Sequence, residues 1–226
     1  MAYTFNGSNQ YLSATASPLG TGQLGDHTIA FWVQAAAQNG VWLFSISRST
    51  ETTGFNNPAV GVLSTTAGRV NYFLRANSSG NALAWATGVS GASGPVAFNS
   101  SWNHVAVRLS GTTASTWING ALGEQSTTGL EVPTTTGLNR LGIAALVRGN
   151  VAAYAAATVA EVGVWSAAIT DEEIASLARA VSPALVRPQS LAFFAPLIRD
   201  VRDIRAGLAI TNNNSATVAD HPRVYA

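Results

Sequence analysis

Cysteine is absent from this 226-residue chain. That excludes a disulfide framework, a thiolate metal centre and a nucleophilic thiol. A chain of this length can bury a core without such staples. Lysine is absent too, so all 12 basic residues are arginine. Charged residues make up 10% of the chain, against roughly 25% in an average soluble domain. With a net charge of +1, no bulk attraction to nucleic acid or to an anionic membrane is expected. Solvation must come from Ser, Thr, Asn and Gly. The surface is either neutral by composition or covered in an assembly, where unpaired charge is costly. No apolar run reaches the roughly 18 residues that span a bilayer, because Tyr154 and Thr158 break the Ala-rich stretch from Val151 to Ala160. The opening residues MAYTFNGSNQYLSA lack a basic region and an apolar region. The expectation is synthesis in the cytoplasm with no signal peptide.

Chemistry-bearing motifs are scarce as well. There is no Gly-x-Ser-x-Gly elbow, and His27, His104 and His221 lie far apart in the chain. Glu161 is the only acidic residue on an inner-strand pattern and has no partner nearby in sequence. Asp171, Glu172 and Glu173 crowd one helix start, where capping and the helix dipole account for them.

What the chain does have is strand pattern separated by Gly, Asn, Ser and Thr clusters. Tyr3 to Phe5 and Tyr11 to Ser13 flank a polar turn, Asn6 to Asn9. His27 to Gln34, Val41 to Ser47, Val60 to Leu63, Val70 to Arg75 and Ala82 to Thr87 follow. Val105, Val107 and Leu109 alternate with Ala106 and Arg108, the period of a strand with one buried face. Thr116 to Ile118 is strand-prone and runs into Asn119-Gly120, a strong signal for a type I′ hairpin. Arg140 to Ile143 and Val159 to Trp165 complete about a dozen strands. Thr170 to Glu173 forms a Thr-x-x-Glu capping box. Ile174, Leu177, Ala178 and Val181 then recur at helical spacing until Ser182-Pro183. The pattern predicts an all-β, two-sheet antiparallel sandwich with one short helix near residues 171–181.

The segments SSWNHVAVRLSG, STWINGAL and VAEVGVWSAAITDEEIASL, in this order, resemble the closing half of a laminin-G-like domain. That family shares the jelly roll of concanavalin A-type lectins. YTFNGSNQYLSA resembles the family's first hairpin, HTIAFWVQ its buried aromatic strand and NRLGIAA its Leu-x-Ile-Gly strand. The resemblance covers roughly Tyr3 to Val181. It implies a jelly-roll domain over residues 1–182 and a C-terminal extension over residues 183–226. Glycoside hydrolases on this jelly roll carry Glu-x-Asp-x-x-Glu on one strand, since retaining cleavage needs two nearby carboxyls. The chain has no such motif, so no enzyme is expected. Many relatives hold calcium, which requires oxygen ligands. Here Ala160 stands where the family's strand carries Asp, and Asn119 replaces the hairpin Asp. No metal and no cofactor are therefore expected. His104 matches a family position beside the tryptophan that serves packing.

Two surfaces remain for binding. Tyr72, Arg75, Trp85 and Trp42 combine aromatic platforms with a hydrogen-bonding arginine, the chemistry of a glycan site, while Trp32, Trp102, Trp117 and Trp165 read as core. The extension shifts the charge balance: residues 1–178 carry 6 Arg and 8 acidic residues, net −2, and residues 179–226 carry 6 Arg and 3 Asp, net +3. Its LAFFAPLIRDVRDIRAGL and terminal His-Pro-Arg resemble the tails of laminin-G-like proteins from tailed bacteriophages. Leu191 to Leu197 would add a strand to the sandwich. Arg199, Arg202, Arg205, His221 and Arg223 would contact a neighbouring subunit, unless the arginines pair locally with Asp200 and Asp203. The resulting expectation is a structural virion protein, a capsid decoration or particle-surface subunit. It would be made in the host cytoplasm and would contact other virion proteins, copies of itself and possible host-surface glycans. No nucleic acid or membrane partner is expected. The alternative is a carbohydrate-binding module on a phage fibre or in a secreted bacterial protein.

Overall fold

The computed structural model describes residues 1–52, 59–65, 67–75, 95–126, 137–222 and 224–225, apart from the side chain of Arg75. The strand expected over Ala82 to Thr87 lies outside these residues. The described strands run in chain order: β1 Ala2–Asn6, β2 Tyr11–Ala14, β3 His27–Gln34, β4 Trp42–Ser47, β5 Ala59–Ser64 and β6 Val70–Arg75. They continue with β7 Trp102–Ser110, β8 Thr113–Ile118, β9 Ala121–Ser126, β10 Arg140–Ile143, β11 Leu146–Val147 and β12 Val151–Ala152. The last are β13 Ala156–Trp165, β14 Leu191–Ala195, β15 Thr211–Asn213 and β16 Thr217–Ala219, with the helix α1 Asp171–Ala178 between β13 and β14.

Strands β11 and β12 pair as a separate two-stranded sheet, and the other fourteen strands form two antiparallel sheets packed as a jelly-roll sandwich. The larger has the order β16-β1-β13-β3-β7-β8-β9, with β14 also on β13, and the smaller has the order β15-β2-β10-β4-β5-β6. Between them lies the main core, including Leu12, Ile29, Phe31, Phe44, Val105, Ile143, Val164 and Phe193. Burying each such side chain contributes about 1.5–3 kcal/mol. The Asn119-Gly120 turn joins β8 to β9 with φ of 51° and 81° at its two central residues, as a type I′ turn demands.

The first expected hairpin is not one. β1 pairs with β13 and β16, while β2 pairs with β10 and β15. The chain crosses between sheets there. The crossing is held by Asn6, whose Oδ1 accepts from the backbone N–H groups of Ser8, Asn9 and Gln10. Asn turns a chain this way whether or not the flanking strands pair.

The capping box forms as its spacing predicts. Thr170 Oγ1 accepts from Glu173 N at 3.3 Å, and Thr170 N donates to Glu173 Oε2 at 2.6 Å. The helix stops earlier than expected, at Ala178. Ala180 takes a φ of 69°, and Val181 N bonds back to Ser176 O at 3.1 Å, a left-handed cap. Thr170→Ala is expected to lower unfolding stability by about 1 kcal/mol without altering the fold. A denaturant titration monitored by tryptophan emission checks this, and an unchanged midpoint would count against the cap.

The C-terminal extension does not project from the sandwich. β14 extends the larger sheet by pairing with β13. β15 then covers the β2 edge of the smaller sheet, and β16 covers the β1 edge of the larger one. Tyr225 bridges to Val181. The segment expected to reach a neighbour closes the sheet edges of its own domain. Edges left open would be templates for pairing with another chain.

Candidate functional site

The expected glycan residues do not make a surface. Trp42 is fully buried on the far side of β4, edge-on to Phe73 with centroids 5.2 Å apart, beside Leu63 and Leu146. Tyr72 is fully buried between the sheets and donates its hydroxyl hydrogen to His27 Nε2 at 2.5 Å. Neither ring can stack on a sugar. Arg75 ends β6, and Trp85 lies outside the described residues. Both corrected residues carry strong surface signals in sequence, a nearby polar turn for Trp42 and a hydroxyl for Tyr72. Burial answers each differently. Trp42 sits on a layer added by the β11–β12 hairpin, and the Tyr72 hydroxyl has an internal acceptor.

The open aromatic surface lies on the outer face of the larger sheet. Tyr3, Phe5, Val33, Val105 and Val159 all point into the core, so the residues between them point outward. Across five strands the register aligns Thr217, Thr4, Thr158, Gln34 and Trp102 in one row. The adjacent row brings Ala160, Trp32 and His104 side by side. Trp32 and Trp102, expected in the core, are half-buried and face outward. The other end of this face is closed, because Ile169, Ile174 and Leu177 cover Trp117 and Trp165 there. Arg108 seals that junction. It lies 5.0 Å over the Trp117 ring and bonds Ile169 O at 2.9 Å and Asp171 Oδ1 at 2.7 Å.

A shallow groove of about 330 Å³ lies on this face, lined among others by Thr4, Gln34, Ala36, Ser100, Ala156 and Thr158, next to the row that holds Trp32. Its polar groups are fixed. Thr4 Oγ1 and Thr158 Oγ1 share a hydrogen bond of 2.7 Å, and Gln34 Nε2 donates to Ser100 O at 2.9 Å. Gln38 braces the wall by pairing both ends of its amide with the Ala156 backbone, at 2.7 and 2.8 Å. His104 packs edge-on to Trp32 with centroids 5.4 Å apart. Burial lowers its pKa to about 3, so the imidazole stays neutral and acts as packing. None of the lining residues is charged. The groove therefore offers hydroxyls and an amide, with no carboxylate, imidazole or guanidinium among its lining residues, while Trp32 and Trp102 lie on the same sheet face.

The positions where relatives carry acids, and where no metal is expected here, have structural roles. Ala160 is fully buried. Asn119 Oδ1 accepts from His104 N, and its amide donates to Asn103 Oδ1, both at 2.8 Å. Among the described residues no group of three His, Asp or Glu could hold a metal ion.

The expected subunit-contact residues also separate. Arg199 and Arg202 are exposed. Arg205 Nε donates to Leu191 O at 3.0 Å within the domain. The expected local pairing with Asp203 does not form. That carboxylate is buried and accepts instead from the backbone of Phe194, Arg205, Ala206 and Leu208. His221 turns inward, 3.0 Å from Glu161 Oε1. Arg223 lies outside the described residues.

Known proteins agree with this architecture. No curated protein matches the chain in sequence. Among solved structures, a heptameric SAP-like pentraxin from Limulus polyphemus superposes over 96% of this chain and 97% of its own, at 14% identity and a TM-score of 0.61. The CBM40 of Ruminococcus gnavus IT-sialidase, bound to alpha2,3 sialyllactose, covers 78% of this chain and 96% of its own, at 17% identity and a TM-score of 0.59. The NanB sialidase of Streptococcus pneumoniae matches over 67% of this chain at 20% identity and a TM-score of 0.54, and the match spans only 23% of that enzyme. These likenesses are of fold. A laminin G family model, described as the Concanavalin A-like lectin/glucanases superfamily, matches residues 6–175. By that match the chain belongs to the concanavalin A-like lectin/glucanase superfamily.

Proposed function

We propose that the protein is a non-catalytic carbohydrate-binding module that takes glycan on the outer face of its larger sheet. The observation that carries this reading is the row of Trp102, Gln34, Thr158 and Thr4 beside the half-buried Trp32. An indole plane covers the apolar face of a pyranose, and fixed hydroxyl and amide groups read its hydroxyls. The sialyllactose held by the Ruminococcus module is acidic, whereas this groove has no cation among its lining residues. The expected ligand is therefore a neutral glycan. A module displayed on a virus particle would present the same face to host glycans.

A glycan array followed by titration calorimetry tests the reading. Neutral oligosaccharides are expected to bind. Trp32→Ala is expected to weaken binding by at least roughly tenfold, the effect of about 1.4 kcal/mol, and Gln34→Ala to weaken it less. Gln34 is exposed, so its loss should leave the melting temperature unchanged. Selective binding of sialylated glycans, or equal binding by both variants, would overturn the assignment.

A further inference from the structure

A second cleft opens where β1 and β14 meet end to end along β13. It measures about 330 Å³, the size of a small-molecule site, and Phe194, Pro196, Ile198 and Ile204 form apolar walls. Glu161 and His221 also line it. Glu161 is 4% exposed, and it sits in a β-bulge between Ala160 and Gly163. Its φ is 53°, a left-handed conformation that a residue with a side chain adopts only when its surroundings impose it. The bulge turns the side chain out of the strand's ordinary alternation. Glu161 N donates to Pro196 O at 3.3 Å, which anchors the bulge to the tail. His221 holds one carboxylate oxygen at 3.0 Å. The other oxygen, Oε2, is buried and has no hydrogen-bond partner among the described residues.

A buried carboxylate oxygen without a donor is costly. A fold that keeps one at the side of an apolar cleft holds it for a donor from outside. We propose that this cleft binds a small apolar molecule bearing one amine, with the amine donating to Glu161 Oε2 and the apolar body lying between Phe194 and Ile204. An amine satisfies the oxygen and opposes its charge, which a hydroxyl does only in part. An acid is excluded by the same carboxylate. A glycan is disfavoured because the walls offer few hydroxyl partners. This site is separate from the sheet face assigned to glycan and does not depend on it.

Phenethylamine, 2-phenylethanol and 3-phenylpropionate, titrated into the 226-residue chain and followed by ¹H–¹⁵N correlation spectroscopy, test the proposal. The amine is expected to shift residues 161, 194, 198 and 204 and to bind roughly tenfold tighter than the alcohol, while the acid does not bind. Glu161→Gln is expected to remove the preference for the amine while leaving the alcohol unchanged. Should that variant fail to fold, Ile198→Arg places a cation at the exposed rim and is expected to abolish amine binding. Trp32→Ala is expected to leave the amine untouched, so failure of the glycan reading and failure of this one are told apart. The proposal is overturned if alcohol and amine bind alike, if the shifts fall elsewhere, or if the amine does not bind at millimolar concentration.

Discussion

The folded protein is expected to lose stability steeply as pH falls from 6.5 toward 4. His27 and His104 are both fully enclosed, at 0% and 2% exposure. Burial lowers the His27 pKa to about 4 and the His104 pKa to about 3, against about 6.5 in an unfolded chain. The hydrogen bonds of His27 fix it neutral: Nδ1 meets the Gly25 carbonyl at 2.8 Å and Nε2 faces the Tyr72 hydroxyl at 2.5 Å. A carbonyl only accepts, so the proton is on Nδ1 and Nε2 accepts from Tyr72. Burial also raises the Tyr72 pKa well above 10, which keeps that hydroxyl a donor.

Between the folded and unfolded pKa values the unfolded state holds more protons. Lowering the pH then favours unfolding. The stability these residues confer is fully present above about pH 6.5 and is lost as pH falls through their folded values. Each contributes about 1.4 kcal/mol per pH unit in that window. At pH 4.5 the combined loss is on the order of 5 kcal/mol, comparable to the whole stability of many domains. Urea titrations at pH 7 and pH 4.5 read this directly. His104→Phe removes one of the two protons and is expected to halve the slope. Equal midpoints at the two pH values, or an unchanged slope in the variant, would refute the account.

The strands and the helix cap were legible because their signals are local. His27 to Gln34, Val70 to Arg75 and Arg140 to Ile143 are read from the chain with the bounds the structure gives them. β15 and β16 were not legible. Thr-Asn-Asn and Thr-Val-Ala have no amphipathic pattern, and they are strands only because two sheet edges need covering. The crossover at Asn6 to Asn9 read as a hairpin because turn chemistry does not reveal which partners the flanking strands choose.

The candidate sites were harder for a related reason. HTIAFWVQ is apolar on both faces, so the sequence cannot say whether Phe31 or Trp32 points inward. Only the register with β7 and β13 decides it. In sequence Glu161 is an acid with no partner nearby, because its partner, His221, comes from the far end of the chain. The exposed tail arginines suggested an arm. Nothing in their spacing shows that the following residues return to the sandwich.

Trp42→Ala is expected to cost about 3–5 kcal/mol, the usual range for deleting a buried large aromatic ring, and its partner position makes the prediction sharper. The indole lies over Gly61. A Cβ at position 61 would stand 1.9 Å from Trp42 Cζ3, far inside van der Waals contact, and the ring is boxed in by Phe73, Leu63 and Leu146. Gly61→Ala should therefore force the ring aside and destabilise by more than 1 kcal/mol, as overpacking does. The two positions must couple. With the ring gone, the new methyl enters vacated space, so Gly61→Ala should be nearly neutral in the Trp42→Ala background, and the cycle isolates the contact. Trp42→Phe separates shape from polarity. The indole N–H is buried with no partner among the described residues, and removing an unsatisfied donor offsets part of the lost packing. That variant should cost clearly less than Trp42→Ala. Additive single and double variants would show that the indole does not lie on Gly61. A Trp42→Phe as damaging as Trp42→Ala would show that its N–H has a partner.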